Sequence, residues 1–87
     1  MRIEARFYGF FQLLLGVLQL DINLNAPAKV EDLWRHLEEH YPQFRSKDVA
    51  VIAAISLNNR KLSREEWSTT YLQDGDRVEF FTLMAGG

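Results

Sequence analysis

Residues 30–41 read VEDLWRHLEEHY, and their apolar side chains recur with the i, i+3, i+4, i+7 spacing of one face of an α-helix. The apolar stripe consists of Val30, Leu33, Trp34, Leu37 and Tyr41. Glu31 and Asp32 suit the positive end of the helix dipole, and Pro42 cannot continue a helix. The stretch therefore predicts one long amphipathic helix that ends at Tyr41.

On the N-terminal side of this helix, apolar and polar residues alternate with a period of two. The first alternation covers residues 2–7 and the second runs from Leu18 to Leu24, so each predicts a strand with one buried face. The connection between them contains Gly9 and Gly16, and Gln12–Leu15 can form a helical turn with an extra apolar contact surface. We expect the two strands to pair as an antiparallel hairpin.

On the C-terminal side, residues 49–57 are apolar almost throughout, which is the pattern of a strand buried on both faces. We therefore expect this strand at the centre of the sheet. Asn58 and Asn59 favour a type I′ turn because Asn tolerates positive φ, and residues 60–62 can return as a short strand. Ser63 and Glu66 have the spacing of a capping box, which predicts a single helical turn.

The last predicted strand runs from Arg77 to Met84, after a tight turn at residues 74–76. Val78, Phe80 and Thr82 fall on one face of it, and Phe81 and Leu83 fall on the other. A helix between strands of one sheet is a crossover, so the first and last strands can lie parallel beside each other. The element order predicts an α+β chain with the β-grasp, or ubiquitin-like, fold: a mixed sheet of four to five strands wrapped on one helix.

Composition narrows the function classes. The chain has 87 residues, 47% apolar and 25% charged, which indicates a single folded domain over residues 1–87. With no Cys there is no disulfide, thiolate nucleophile or sulfur-ligated metal, and a net charge of −2 without a basic stripe argues against nucleic-acid binding. The apolar run 7–20 is shorter than the roughly 20 residues of a membrane span and has no cleavage site. We expect a cytoplasmic protein that does not enter the membrane.

Three further pairs of residues have side chains that can form functional sites in proteins. His36 and His40 fit the H-x-x-E-H pattern of some metallopeptidases, but no third ligand is evident, so a solvated helix face is the better interpretation and no metal site is predicted. Asp74 and Asp76 are interpreted as turn formers, because a tight turn leaves no pocket for acid–base chemistry. Trp34 and Trp67 are interpreted as packing residues.

The sequence ends in Gly86-Gly87. A tail without Cβ atoms is thin and flexible, so it can thread a narrow channel and present a carboxylate to a nucleotide in another protein's active site. Adenylation by ATP converts that carboxylate into an acyl phosphate that sulfur can attack, and the product is a terminal thiocarboxylate. The alternative is a frayed end whose glycines have no role.

Residues 64–87 closely resemble the C-terminal part of the ThiS and MoaD family of sulfur carriers, in which a leucine, an Asp-Gly-Asp turn and a strand lead into terminal Gly-Gly. The stretch 66–70 is similar to the thiamine carriers. The opening 6–10 with Leu15-Gly16, and the helix ending in Tyr41-Pro42, are similar to the molybdopterin synthase small subunits. Many of the latter carry Pro-Pro where this chain has Thr82-Leu83, so the pathway that receives the sulfur stays open.

The resemblance implies a protein co-substrate and not an enzyme. Gly87 would carry the adenylate and then the thiocarboxylate, Gly86 would give clearance, and Phe81, Leu83 and Met84 would bind partners. The implied partners are a ubiquitin-type adenylating enzyme, a sulfurtransferase, and an acceptor, either the molybdopterin synthase large subunit or thiazole synthase. No cofactor would be bound, because the activating enzyme uses the ATP. The open alternatives are a protein modifier joined to target lysines through Gly87, and a domain that only binds partners.

Overall fold

A five-stranded mixed sheet and one long helix account for the architecture of residues 1–83, which are the part of the chain that the structure, a computed structural model, describes. The strands are β1 (Arg2–Phe7), β2 (Gln19–Asn23), β3 (Ala53–Leu57), β4 (Arg60–Lys61) and β5 (Arg77–Thr82). The helices are α1 (Phe10–Leu15), α2 (Val30–His40) and α3 (Lys47–Ile52), with 3-10 turns at Pro42–Arg45 and Glu65–Ser68.

The strand order in the sheet is β2-β1-β5-β3-β4. β1 pairs antiparallel with β2 and parallel with β5, where Phe7 lies opposite Phe80. β5 pairs antiparallel with β3, so that Phe80 also lies opposite Ile55. The parallel pairing of the first and last strands confirms the predicted β-grasp fold.

The helix α2 lies against one face of this sheet, called here the inner face. The Lys29 amide donates to Asp32 Oδ2 at 2.7 Å, which satisfies one of the free N–H groups at the start of the helix. The helix ends at His40, one residue before the predicted end, because Pro42 follows Tyr41. Its apolar stripe is buried as predicted, and only Tyr41 stays half-exposed.

Alternate residues of the strands point inward and meet the helix. The inner face of the sheet is formed by Ile3, Ala5, Phe7, Ile22, Ala53, Ile55, Val78 and Phe80, all buried. Trp34 lies between Phe44, with ring centroids 5.2 Å apart, and Trp67, at 5.4 Å, so both tryptophans are packing residues as predicted. Within residues 1–83 no charged or polar side chain is buried, so hydrophobic burial is the main stabilising term of this core.

The prediction of a strand over residues 49–57 is wrong for its first half. Lys47–Ile52 form α3, which begins where Ser46 Oγ accepts the Asp48 amide at 3.2 Å. Val49 is buried while Val51 is 70% exposed, as on two sides of a helix, whereas the successive residues Ala53, Ala54 and Ile55 are all buried, so only the second half of the run is a strand buried on both faces. The central strand is β5 and not β3, because β5 is bordered by both β1 and β3.

The predicted turns are confirmed. Asn58 and Asn59 have φ values of 48° and 70°, and Gly75 has φ 87°. The Ser63 amide donates to Glu66 Oε1 at 2.8 Å and the Glu66 amide donates to Ser63 Oγ at 3.4 Å, so both hydrogen bonds of the predicted capping box are present. Strand β2 is shorter than predicted, since Leu18 lies outside it and is 59% exposed.

None of the helices in the described part of the chain is long and apolar enough to cross a bilayer.

Candidate functional site

The last strand places one predicted partner-binding residue, Phe81, on the outer face of the sheet, opposite the helix, and a second, Leu83, follows directly after the strand. Phe81 lies opposite Ala54 of β3 and is half-buried. Leu83 follows the end of β5, is 54% exposed, and donates its amide to Ile52 O at 2.9 Å. The face predicted for Phe81 is confirmed, whereas Leu83 lies beyond the strand that was predicted to contain it. The other three predicted site residues, Met84, Gly86 and Gly87, lie outside the described residues.

Tyr8 brings a third apolar side chain to this region. Its amide donates to Phe80 O at 3.0 Å, which extends the β1–β5 pairing by one residue, and its hydroxyl donates to Glu79 Oε2 at 2.7 Å. Tyr8, Ala54, Phe81 and Leu83 are called here the exit surface, because the chain leaves the sheet beside them. Ala54 is itself buried, so the exposed apolar area comes from the other three. A small exposed apolar patch at the end of the last strand is suited to contact another protein.

The rest of the outer face is polar and paired. Glu4 Oε2 accepts from Arg6 Nε and from Arg77 Nε, both at 2.8 Å. The hydrogen bond from Arg6, followed by the one from Arg77, lowers the pKa of the Glu4 carboxyl against the raising effect of its partial burial. This charged cluster therefore stays ionised at neutral pH and leaves the exit surface as the apolar end of the outer face.

Helix α1 adds an uncharged surface next to the exit surface. The predicted helical turn is confirmed and extends over Phe10–Leu15, between Gly9 at φ 54° and Gly16 at φ 77°. Phe11 is fully buried, and its ring centroid lies 6.4 Å from that of Phe80. Leu13 is 84% exposed on the opposite side of the helix.

The surface has two open depressions of about 220 and 210 Å³, of which the first is mostly polar and the second is more apolar. The first lies between Glu4, Arg77 and the turn at Asn58-Asn59, and the second lies beside Arg6 and Tyr8. Neither combines a nucleophile with a general base, so within residues 1–83 neither forms a catalytic centre.

The histidine pair does not form a metal site in the described chain. The rings of His36 and His40 stack with centroids 4.0 Å apart, and His40 Nδ1 lies 2.9 Å from His36 O. His36 is half-buried instead of fully solvated, and this burial, with the charge of His40, lowers its pKa. No group of three or more His, Asp or Glu residues within residues 1–83 is placed to hold a metal ion.

Asp74 and Asp76 are turn formers, as predicted. Asp74 Oδ1 accepts the Arg2 amide at 2.7 Å, and Asp76 Oδ2 accepts the Gln73 amide at 2.7 Å. Their oxygens are thus used to hold the turn before β5 and its contact with the start of β1.

Comparison with known proteins identifies the family. The ThiS family model matches residues 5–87, and the chain belongs to the ThiS family. Small archaeal modifier protein 3 of Haloferax volcanii is 28% identical over 92 residues, covering 100% of both chains. The sulfur carrier protein ThiS of Escherichia coli K12 is 40% identical over 35 residues, covering 40% of this chain and 53% of that protein.

Solved structures agree with the family and the fold. A Pyrococcus furiosus chain assigned as molybdopterin converting factor subunit 1 has a TM-score of 0.79 and 26% identity, covering 94% of this chain and 97% of that one. Subunit 1 of the Helicobacter pylori molybdopterin-converting factor, solved as a complex with subunit 2, has a TM-score of 0.68 and 24% identity over 100% of both chains. The first supports the relationship to MoaD-type chains, and the second supports the ubiquitin-like fold.

Proposed function

We propose that this chain is a sulfur carrier whose Gly87 carboxylate is activated as an adenylate and converted into a thiocarboxylate. The observation that carries the proposal is the match to the ThiS family, which extends through the Gly-Gly pair to residue 87. The exit surface supports it, because this apolar patch lies where the chain leaves β5 toward the tail.

The conversion of the Gly87 carboxylate into a thiocarboxylate takes two steps. A carboxylate oxygen of Gly87 attacks the α-phosphorus of ATP in the adenylating enzyme, which forms the acyl adenylate and releases pyrophosphate. Hydrosulfide then attacks the carbonyl carbon, AMP leaves with the oxygen, and the thiocarboxylate remains. If a sulfurtransferase supplies the sulfur as a persulfide, the persulfide attacks the carbonyl carbon, AMP leaves, and an acyl disulfide joins the two proteins. A second thiol then cleaves its S–S bond, which releases the thiocarboxylate and leaves a disulfide on the sulfurtransferase. The ATP belongs to the adenylating enzyme, and the carrier acts as a co-substrate that needs no bound cofactor.

The carrier's own residues would bind and present the tail. Gly86 lacks a Cβ, so the last two residues pass through a channel that a larger residue would block. Phe81, Leu83 and Met84 would contact the adenylating enzyme and then an acceptor, either a molybdopterin synthase large subunit or a thiazole synthase. The complex of subunits 1 and 2 of the Helicobacter pylori factor supports such a pairing for a chain of this fold.

A protein modifier is the second candidate function. The observation that favours it is the similarity over the full chain to small archaeal modifier protein 3. The adenylate is common to both functions, and they diverge at the nucleophile. A lysine amine on a target protein would give an isopeptide bond at Gly87, whereas hydrosulfide or a persulfide gives the carrier form.

The test is the intact mass of the protein after incubation with ATP, the adenylating enzyme and the sulfurtransferase of its own organism. A gain of about 16 Da, the exchange of oxygen for sulfur, is expected and should be absent without ATP. The control lacks Gly87 and should keep its original mass. Adducts of higher mass on lysines without the 16 Da species would establish the modifier instead, and no change of any kind would leave a domain that only binds partners.

A further inference from the structure

Helix α1 exposes apolar side chains that the core does not need. Phe11 is the fully buried anchor of the helix, and Leu14 and Leu15 pack partly buried against the core. Phe10 and Leu13 are exposed, and Val17 and Leu18 continue the exposed apolar segment after Gly16. Phe10 and Leu13 are three residues apart and therefore neighbours on the helix surface. Residues 8–20 contain no charged side chain. Phe10, Leu13, Val17 and Leu18 are called here the α1 surface.

The α1 surface is held in a fixed position. The Gly16 amide donates to Gln12 O at 2.7 Å, and Gln43 Nε2 donates to Leu14 O at 3.2 Å, which ties the end of α1 to the 3-10 turn after α2. The Phe11 ring also lies 5.7 Å from Phe44 of that turn. Because the helix is held at its end and through its buried side, Leu13 is presented outward without the ordering cost that a loose loop would add.

The length of the tail sets how near a partner must come. Residues 84–87 extend at most about 14 Å beyond Leu83. Helix α1 is only about 9 Å long. Its start lies beside β5, since Tyr8 N bonds to Phe80 O at 3.0 Å and Phe11 packs on Phe80. An enzyme whose active centre reaches Gly87 must therefore lie over the end of the sheet where α1 also lies.

We propose that the α1 surface is a second docking contact for the adenylating enzyme, which covers it with an apolar, uncharged surface while the tail is in the active centre. The proposal rests on the proposed function. The partner surface over Phe10 and Leu13 should lack charged groups, because residues 8–20 carry no counter-charge and Arg6, which lines the same depression as Leu18, is already paired with Glu4. A second copy of the chain is a poorer occupant, because seated on α1 it would stand beside the exit surface and obstruct the approach to the tail.

The experiment measures ATP–pyrophosphate exchange by the purified adenylating enzyme as a function of carrier concentration. Leu13→Asp places a charge on the α1 surface at a position that is already in solvent, so the fold should be retained. We expect its KM to rise about tenfold with kcat unchanged, since a docking contact contributes to binding and not to the chemical step. Leu13→Gln, which adds no charge, should raise KM in the same direction by a smaller factor.

The matched control is Tyr71→Asp. Tyr71 is 59% exposed and pairs with Lys29 at the start of α2, at the end of the sheet away from α1. Its KM should equal that of the wild-type protein. Equal KM values for Leu13→Asp and wild type would overturn the docking contact while leaving the carrier function standing. Absence of exchange with the wild-type protein would overturn the carrier function itself and the docking contact with it.

Sedimentation velocity tests whether a second copy of this chain binds to the α1 surface. The wild-type protein should sediment as a monomer at the concentrations of the assay. A dimer that Leu13→Asp dissociates, together with an unchanged KM, would overturn the proposal and assign the α1 surface to self-association.

Discussion

Glu4 is the residue at which the charges of the outer face converge. One of its oxygens accepts from two guanidinium groups, Arg6 and Arg77, on neighbouring strands. The Glu4–Arg77 ion pair thus joins β1 to β5 across the parallel pairing that closes the fold, and the Glu4–Arg6 pair lies within β1. Such pairs contribute little when fully solvated, but charge-assisted hydrogen bonds on a shared carboxylate are directional and help to hold the strand register.

Glu4→Gln should destabilise the protein at neutral pH and much less in acid. The folded-state pKa of Glu4 lies below its ordinary value of 4.5, so its contribution to stability is fully present above pH 4.5 and is lost as the pH falls through the lower folded-state pKa. The measurement is urea unfolding of both proteins at pH 7, 5 and 3. A difference in unfolding free energy that is the same at pH 7 and pH 3 would contradict the assignment.

The two asparagines of the β3–β4 turn should respond oppositely to glycine. Asn59, at φ 70°, is replaced without loss of a described side-chain bond, so Asn59→Gly should raise the unfolding temperature slightly. Asn58 donates to Asp76 Oδ1 and accepts the Arg77 amide, both at 2.9 Å, so Asn58→Gly should cost about 1–2 kcal/mol. Thermal unfolding followed by circular dichroism measures both, and equal effects of the two substitutions would contradict this account.

At the scale of elements, the spacing of apolar residues was sufficient to predict β1, α2 and β5. Each of these elements buries one face, and the spacing identifies both the type of element and the buried face. It failed at residues 49–52, because a short apolar run is compatible with either a helix or a strand. The signal for α3 was present at Ser46 and Asp48, the residues of its N-terminal cap.

The candidate site was predictable only along a single strand. Phe81 and Leu83 follow from the alternation of β5. Tyr8 and Ala54 were not predicted. They lie beside Phe81 because of the way neighbouring strands pair, and the residue pattern within a single strand gives no information about that pairing. Tyr8 continues the outward alternation of Glu4 and Arg6, and this was the signal available for it.

Helix α1 should depend mainly on Phe11 for its attachment, because Leu14 and Leu15 are only partly buried against the core. Phe11 is fully buried among Trp34, Phe44 and Phe80, so Phe11→Ala should lower the free energy of unfolding by about 3–5 kcal/mol. Leu13→Ala, two residues away on the solvent side, should change it by less than about 0.5 kcal/mol. Denaturant unfolding measures both. A large effect of Leu13→Ala would mean that the α1 surface is part of the core.

At the scale of the whole molecule, the central strand of the sheet is the last strand of the described chain. β5 borders β1 and β3, so neither half of the sheet is complete without residues 77–82. Strands that are neighbours in the sheet are therefore far apart in the sequence, and β1 and β5 must meet before the core can close.

A fragment of residues 1–72 should not fold. It lacks β5, which leaves the inner faces of β1 and β3 without Val78 and Phe80 between them. We expect a circular dichroism spectrum of an unfolded chain and no cooperative thermal transition. The matched fragment 1–83 keeps every described element and should unfold cooperatively. Cooperative unfolding of fragment 1–72 would contradict the central role of β5.

The late position of β5 affects biosynthesis. A nascent chain remains without its core until residues 77–82 have emerged from the ribosome, so every product truncated before that point is unfolded and open to proteolysis. Under the proposed function, such products also lack Gly87 and could only occupy activating enzymes without being activated. Folding of this chain would thus act as a quality check on translation, because a folded body is presented to its enzymes almost only by chains that were synthesised to within a few residues of the tail.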